Sequence, residues 1–215
     1  MNKTYRGMGW WAGGFALVAV GFVFALLRDV VEIGLISIII QNTLLILGAT
    51  LIYVGSLRFL DKKENRGIVV SILAVFILST FYVIYVNRDD NARTMILYVA
   101  LAIISLLTAQ GLLVNKTRSI AASANFLSAV FLAHGGFFAF RVVVTLTVVP
   151  INSFFTPTLM QTATFLVQLV EGILLTFGFI IMVNQRLNAE MREAKEHFEA
   201  IFNTSPDAAL ITRLN

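Results

Sequence analysis

Apolar residues in this chain come in blocks and do not alternate with polar ones. Six apolar runs lie near 8–28, 31–57, 68–87, 94–114, 120–148 and 158–184, separated by short polar breaks. Blocks of about twenty residues with no period-two pattern predict helices that cross a hydrocarbon layer. The expected fold is therefore all-α, a six-helix transmembrane bundle over 1–184. The last two runs are long enough to tilt or to emerge from the bilayer. Lys3 and Arg6 precede the first run, but that run is too long for a signal peptide, and no small-residue cleavage site precedes the next one.

Past Val183 the pattern changes without a Gly or Pro break. The stretch NQRLNAEMREAKEHFEAIF is charged, and Leu187, Met191, Ala194, Phe198 and Ile201 recur at alternating steps of four and three. This heptad seam over 185–203 predicts a signalling linker that pairs two protomers as a parallel coiled coil. A single amphipathic helix packed on its own domain is the alternative. Counted backwards, Val183 and Ile180 create two successive four-residue steps at Leu187, a stutter that would locally unwind a supercoil.

Composition agrees with the blocks: 58% of residues are hydrophobic and 13% charged, far from the balance of a soluble domain. Lys and Arg placement sets an orientation. Lys3, Arg6, Arg58, Lys62, Lys63, Arg66, Lys116, Arg118, Arg186, Arg192 and Lys195 fall on one side. Arg28, Arg88 and Arg93 fall on the other, accompanied by Asp29, Glu32, Asp89 and Asp90. Both termini are expected in the cytoplasm, as an even helix count requires, with the chain a multi-pass protein of the bacterial inner membrane. Trp10, Trp11, Tyr53, Tyr82, Tyr85 and Tyr98 fall near run ends, where interfacial aromatics sit. The net charge of +4 is thus a topology signal, and its scatter over loops argues against nucleic acid as a partner. With no cysteine, disulfides and thiolate metal sites are excluded.

All breaks are too short to fold as an external domain. A ligand must then bind among the helices, at their outer mouths, or from the lipid. The last outer break, VPINSFFTP, carries Pro150, Phe154, Phe155 and Pro157; it either dips into the interface or makes an ordinary turn. Gly55, Gly111 and Gly178 each precede a basic end, which reads as three repeated hairpins or as the usual glycine enrichment of membrane helices.

Ionisable groups inside a membrane are costly and mark candidate sites. His134, Arg141 and Glu171 are the deep ones. At 1.5 Å per residue, His134 and Glu171 each lie roughly 20 Å from the cytoplasmic edge, so they share a level. Arg141 lies further out on nearly the same face as His134. Gln168 stands one turn above Glu171, and Gln41 and Asn42 fall near the midplane. One reading is a ligand pocket of His134, Arg141, Glu171, Gln168 and Asn42, with His134 and Glu171 at its floor and Arg141 near its mouth. Arg141 would suit a carboxylate or carbonyl, and Phe131, Phe137, Phe138, Phe140 and Phe165 would suit an apolar body. The other reading is a buried His–Glu or Arg–Glu pair that sets helix register. Proton sensing by the imidazole is a third. No Lys lies within a span to hold retinal, a single deep His rules out bis-histidine haem within one chain, and too few ligands remain for zinc or copper. Gly13-Gly14 and Gly135-Gly136 suit close helix contacts better than phosphate loops. No catalytic residue and no cofactor are expected.

The run HFEAIFNTSPDAALITRLN resembles the opening of a PAS domain. Phe198, Ile201 and Phe202 match its entry helix, Ser205, Pro206 and Asp207 the following turn, and 208–211 the first strand. Pro206 blocks helix continuation at Ser205. The likeness implies that 204–215 is a truncated PAS domain and that the chain is the input half of a longer protein. The stretches GWWAGGFALVAVGFVFALLR and QNTLLILGATLIYVGSLRFL look like the sensor regions of bacterial diguanylate cyclases (GGDEF proteins) and sensor histidine kinases. The resemblance implies a membrane sensor that acts through a cytoplasmic PAS and output domain, with the bilayer, a second protomer and a small-molecule or lipid ligand as partners. The alternatives are a histidine kinase input domain, a non-sensing membrane anchor, and a small transporter or channel; the last lacks the paired broken helices of transporters.

Overall fold

The computed structural model describes residues 5–27, 34–87, 89–114, 118–147 and 159–204. The expectations placed on Lys3, Arg28, Asp29, Glu32, Arg88, Lys116, the 148–158 break and the PAS opening at 205–215 lie outside the described residues. The described residues form six helices: α1 (Met8–Leu27), α2 (Gly34–Phe59), α3 (Arg66–Tyr82), α4 (Asp90–Leu113), α5 (Ala121–Thr147) and α6 (Leu159–Thr204). A π turn, Val83–Asn87, extends α3, and a short 3-10 turn, Arg118–Ile120, leads into α5. All six helices are long and apolar enough to cross a membrane. α6 has 46 residues without a break, about 70 Å of helix.

The connections are built by local polar chemistry. Asn65 caps α3 by accepting from the Ile68 amide, and Asp89 caps α4 by accepting from Asn91 and Ala92. At the end of α2, Lys62 N–H bonds the Leu57 carbonyl and Asp61 N–H that of Arg58. This pattern places Asp61 in the left-handed region, at φ 55°, where glycine is usual. Lys62 reaches across to the Gly111 and Val114 carbonyls and so caps the end of α4 with a cation.

Two closely paired helix sets make the frame: α1 on α2, and α4 on α5. α1 and α2 approach along glycine. A Cβ at Gly14 would lie 2.8 Å from the Gly48 carbonyl oxygen and 2.7 Å from Ile52 Cγ1. A Cβ at Gly48 would lie 2.7 Å from the Gly14 carbonyl oxygen. At Gly7 the backbone is itself left-handed, at φ 101°, and presses on Gly55. The reading of the glycine pairs holds for one member of each. Gly14 and Gly135 sit at tight contacts, whereas Gly13 meets a single Leu51 methyl and Gly136 meets nothing.

α2 packs on α4 and α6 on α5, while α3 touches its neighbours lightly. The three consecutive hairpins are therefore not equivalent, and a threefold repeat is not what Gly55, Gly111 and Gly178 mark. Each makes its own contact, with Trp11, Leu57 and Leu127 respectively. One core joins Trp11, Phe59, Leu112, Leu127, Phe179 and Met182. Another joins Ile46, Tyr53, Phe76, Tyr98, Leu101 and Phe138. Of the aromatics expected at interfaces, Trp10, Tyr82 and Tyr85 are exposed, but Trp11, Tyr53 and Tyr98 are buried. Helix α3 exposes Val70, Val75, Leu78 and Phe81, and α6 exposes Leu166, Leu169, Val170 and Ile173. An apolar exterior this extensive is what lipid solvates and water does not, and six such helices are compatible with a multi-pass membrane protein.

Gly14→Ala should force α1 from α2 and lower stability by about 1–3 kcal/mol. Gly136→Ala, in open space, should be neutral or mildly stabilising; thermal unfolding in detergent checks both, and equal melting temperatures would refute the close-contact assignment. Glu64 gives a second test. Its hydrogen bond from Arg58 holds the carboxyl below the ordinary carboxylate range. The group loses protons more readily folded than unfolded, so its stabilisation is present at neutral pH. That contribution fades as the pH falls below the ordinary glutamate value of about 4.3. Glu64→Gln should flatten this part of the acid profile; an unchanged profile would remove Glu64 from the account.

Candidate functional site

His134 and Glu171 meet. His134 Nε2 lies 2.8 Å from Glu171 Oε2, with both side chains 9% exposed. The depth arithmetic that put them on one level agrees with this contact. The imidazole Nε2 makes no aligned hydrogen bond, so the tie is a close but oblique polar contact. On the other side of the ring, Nδ1 is 2.7 Å from Ser105 Oγ of α4, and Phe138 packs edge-on at 4.6 Å. Three helices thus converge on one imidazole. Nothing in the residue pattern singled out Ser105, because hydroxyls in such helices more often bond back to their own backbone, as Thr108 does to Ile104.

This triad forms part of the wall of a cleft of about 660 Å³. Phe15, Val18, Ala19 and Phe22 of α1 face it, and so do Leu45, Ala49 and Ile52 of α2. α6 closes the other side with a strip from Phe165 to Phe177 that includes Gln168 and Glu171. The cleft exists because α6 packs on α5 but not closely on α1 along this stretch. It opens sideways past Leu169, Ile173 and Phe177, which are exposed. Its end nearest the basic loops is shut where Trp11 stacks on Phe179 at a 4.1 Å centroid distance.

The predicted pocket is redrawn by this geometry. His134, Glu171 and Gln168 line the cleft. Arg141 lies outside it. Its guanidinium Nη2 donates to the Tyr98 hydroxyl at 3.0 Å and to Gln161 Oε1 at 3.4 Å, and the side chain is buried towards α4. Asn42 is buried on α2, one turn beyond Leu45, and is likewise not part of the lining. Of the expected phenylalanines, Phe131 and Phe165 line the cleft; Phe138 lies behind the imidazole, and Phe140 faces outward. Most of the aromatic wall comes instead from Phe15, Phe22 and Phe177. Among the described residues no three His, Asp or Glu side chains converge to hold a metal ion.

A second cluster surrounds α6 where it leaves the bundle. Arg186 donates to the Phe59 carbonyl, one of the last unpaired acceptors of α2, and lies 2.9 Å from Asp61 Oδ2. Its guanidinium also lies over the Tyr5 ring at 5.1 Å and 3.5 Å from Glu190 Oε1, while the Tyr5 hydroxyl donates to Glu190. In the charge pattern Arg186 counted only towards orientation. Beyond it, Leu187, Met191, Ala194, Phe198 and Ile201 are all exposed in the single chain. The pairs Arg192–Glu196 and Lys195–Glu199 lie on the helix surface.

No protein-family model matches the chain, and neither a curated protein nor a solved structure does. Function must then be argued from the site itself.

The His134–Glu171 tie should be measurable by a double-mutant cycle. His134→Ala and Glu171→Ala should each destabilise the bundle by about 1–2 kcal/mol. The double variant should cost less than the sum, with a coupling of about 1 kcal/mol; strict additivity would show that the contact carries no energy.

Proposed function

We propose that this chain is the membrane-embedded input and transmission segment of a bacterial signalling receptor. In this reading the basic loops face the cytoplasm, both termini lie there, and the six helices cross the inner membrane. A ligand or a membrane state acting at the cleft shifts α6 against α5. The shift passes along 185–203 to a PAS domain that begins near 204 and on to an output domain, a diguanylate cyclase.

The observation that carries the reading is α6 itself. One unbroken helix forms one wall of a ligand-sized cleft and ends in an exposed heptad seam. A helix transmits displacement along its axis because its hydrogen bonds lie within the segment. The seam also has a partner of the right chemistry, a second copy of this chain. With Leu187, Ala194 and Ile201 at d and Met191 and Phe198 at a, Glu190 falls at g and Lys195 at e. Glu190 is already held within its own chain by Arg186 and Tyr5, so the pairing rests on the apolar a and d residues. An anchor would need neither a cleft on its last helix nor a seam beyond it.

Because the chain has no cysteine, single cysteines report pairing cleanly. Leu187→Cys, Ala194→Cys and Ile201→Cys should cross-link between protomers in the membrane, and Glu193→Cys, off the seam, should not. A ligand that acts through α6 should change the seam's cross-linking rates, and Glu171→Gln should weaken that change. A monomeric chain, or equal cross-linking on all faces, would sink the transmission reading.

A further inference from the structure

The polar atoms open to the cleft define what it takes up, and this inference rests on the reading of the cleft as a ligand site. Glu171 uses Oε2 for His134. Its other oxygen, Oε1, has no donor among the described residues and is not sealed in the protein interior. Gln168 stands three residues away on the same face of α6, lines the same cleft, and makes no hydrogen bond within the described chain. The other polar side chains of the lining are occupied. Ser105 binds His134, and Thr108 and Thr176 bond back to the Ile104 and Gly172 carbonyls. What faces the ligand is therefore one acceptor-only oxygen and one carboxamide, set in a wall of phenylalanine, leucine and isoleucine.

The charge at this point narrows the choice. Glu171 Oε1 is an acceptor whether the pair holds its proton on the imidazole or on Oε2. In neither state does the pair present net positive charge to the cleft. No Lys or Arg is among the lining residues. The nearest deep cation on α5, Arg141, points its Nη2 at Tyr98 and Gln161. A carboxylate or phosphate would enter an apolar cavity opposite a carboxylate oxygen and without a counter-ion, which burial strongly opposes. A ketone or ether could accept from Gln168 but would leave Glu171 unmet. A hydroxyl fits both groups, donating to Glu171 Oε1 and accepting from the Gln168 amide N–H.

We propose that the cleft binds an apolar alcohol: a chain or ring held by the aromatic walls, with its hydroxyl clasped between Glu171 and Gln168. Entry is lateral, past Leu169, Ile173 and Phe177, directly from the hydrocarbon phase. This ligand differs from the carboxylate or carbonyl that Arg141 suggested, since Arg141 does not line the cleft.

The test uses the whole chain in zwitterionic nanodiscs, with 1-dodecanol, dodecanoate, dodecylamine and dodecane as probes at equal mole fraction in the bilayer. Work at about pH 9 keeps the dodecanoate probe ionised. Trp11, stacked on Phe179 at the closed end, reports occupancy by its fluorescence in a Trp10→Phe background. Dodecanol should bind about tenfold more tightly than dodecane or dodecanoate. Gln168→Leu should weaken it severalfold, part of the way to dodecane, without altering the His134–Glu171 contact. Dodecane binding as well as dodecanol would overturn the hydroxyl clasp, and so would dodecanol binding unchanged in Gln168→Leu. Tighter binding of dodecanoate or dodecylamine would overturn the class of ligand while keeping the cleft as a binding site. If no probe changes the fluorescence and none raises the melting temperature, the ligand-site reading falls together with this inference.

Discussion

Helix α6 hangs on α5, and much of the architecture follows from how. Three polar rungs join the pair: Arg141 to Gln161 at 3.4 Å, His134 to Glu171 at 2.8 Å, and Ser123 to Gln185 at 2.7 Å. The rungs follow in antiparallel order, Arg141, His134 and Ser123 of α5 against Gln161, Glu171 and Gln185 of α6. Between the lower rungs, Gly178 admits the Leu127 side chain against the α6 backbone. In an apolar medium the deep His134–Glu171 rung cannot exchange its partner for water, so a slip of α6 along α5 would strand it. The rungs fix register more than they add stability, since single interhelical hydrogen bonds in membranes contribute modestly.

The same attachment leaves the upper half of α6 free on its other side, and that freedom is the cleft. Contact with α1 resumes at the Trp11–Phe179 stack, and contact with α2 at Arg186. The Arg186 cluster shows how firmly the exit is held. Asp61 occupies a left-handed position that glycine would fill with less strain, yet glycine has no carboxylate to meet Arg186. Helix α6 is thus pinned at its exit, propped at Phe179, and tied on one side above that.

How much of this was legible depended on whether the physics was local. Block length set the six helices, because a span must match the hydrocarbon thickness, and the boundaries fell within a few residues. Rise per residue put His134 and Glu171 on one level, because consecutive antiparallel helices share an axis direction. Arg141 falls outside the cleft because its guanidinium turns to neutral partners, Tyr98 on α4 and Gln161 on α6. Position near a run end could not separate Trp11, Tyr53 and Tyr98 from the exposed aromatics. Trp11 and Tyr98 are buried because their polar tips find partners, the Ser56 hydroxyl and Arg141 respectively. The α1 wall of the cleft was illegible for a deeper reason. α1 is apolar on every side, so no periodicity says which face meets a helix far away in sequence.

A ligand can shift α6 only through contacts that differ between two arrangements. The cleft contains few groups able to tell two positions of α6 apart. The aliphatic and aromatic walls slide with small change in contact, whereas Glu171 is bonded on one oxygen and open on the other. A donor arriving at Oε1 competes for the same carboxylate that holds His134, and through His134 it bears on Ser105 of α4. The oblique geometry of the pair leaves room for that competition, because an unaligned tie has less to lose than an aligned one. Gln168 sits one turn further from the exit and Phe179 two turns nearer to it, so a pull at Glu171 acts between the Gln161 rung and the Phe179 prop. In the proposed reading the consequence is a tilt or rotation of the emergent segment about the Trp11–Phe179 stack, not a slide along the axis, since the remaining rungs resist sliding at both ends.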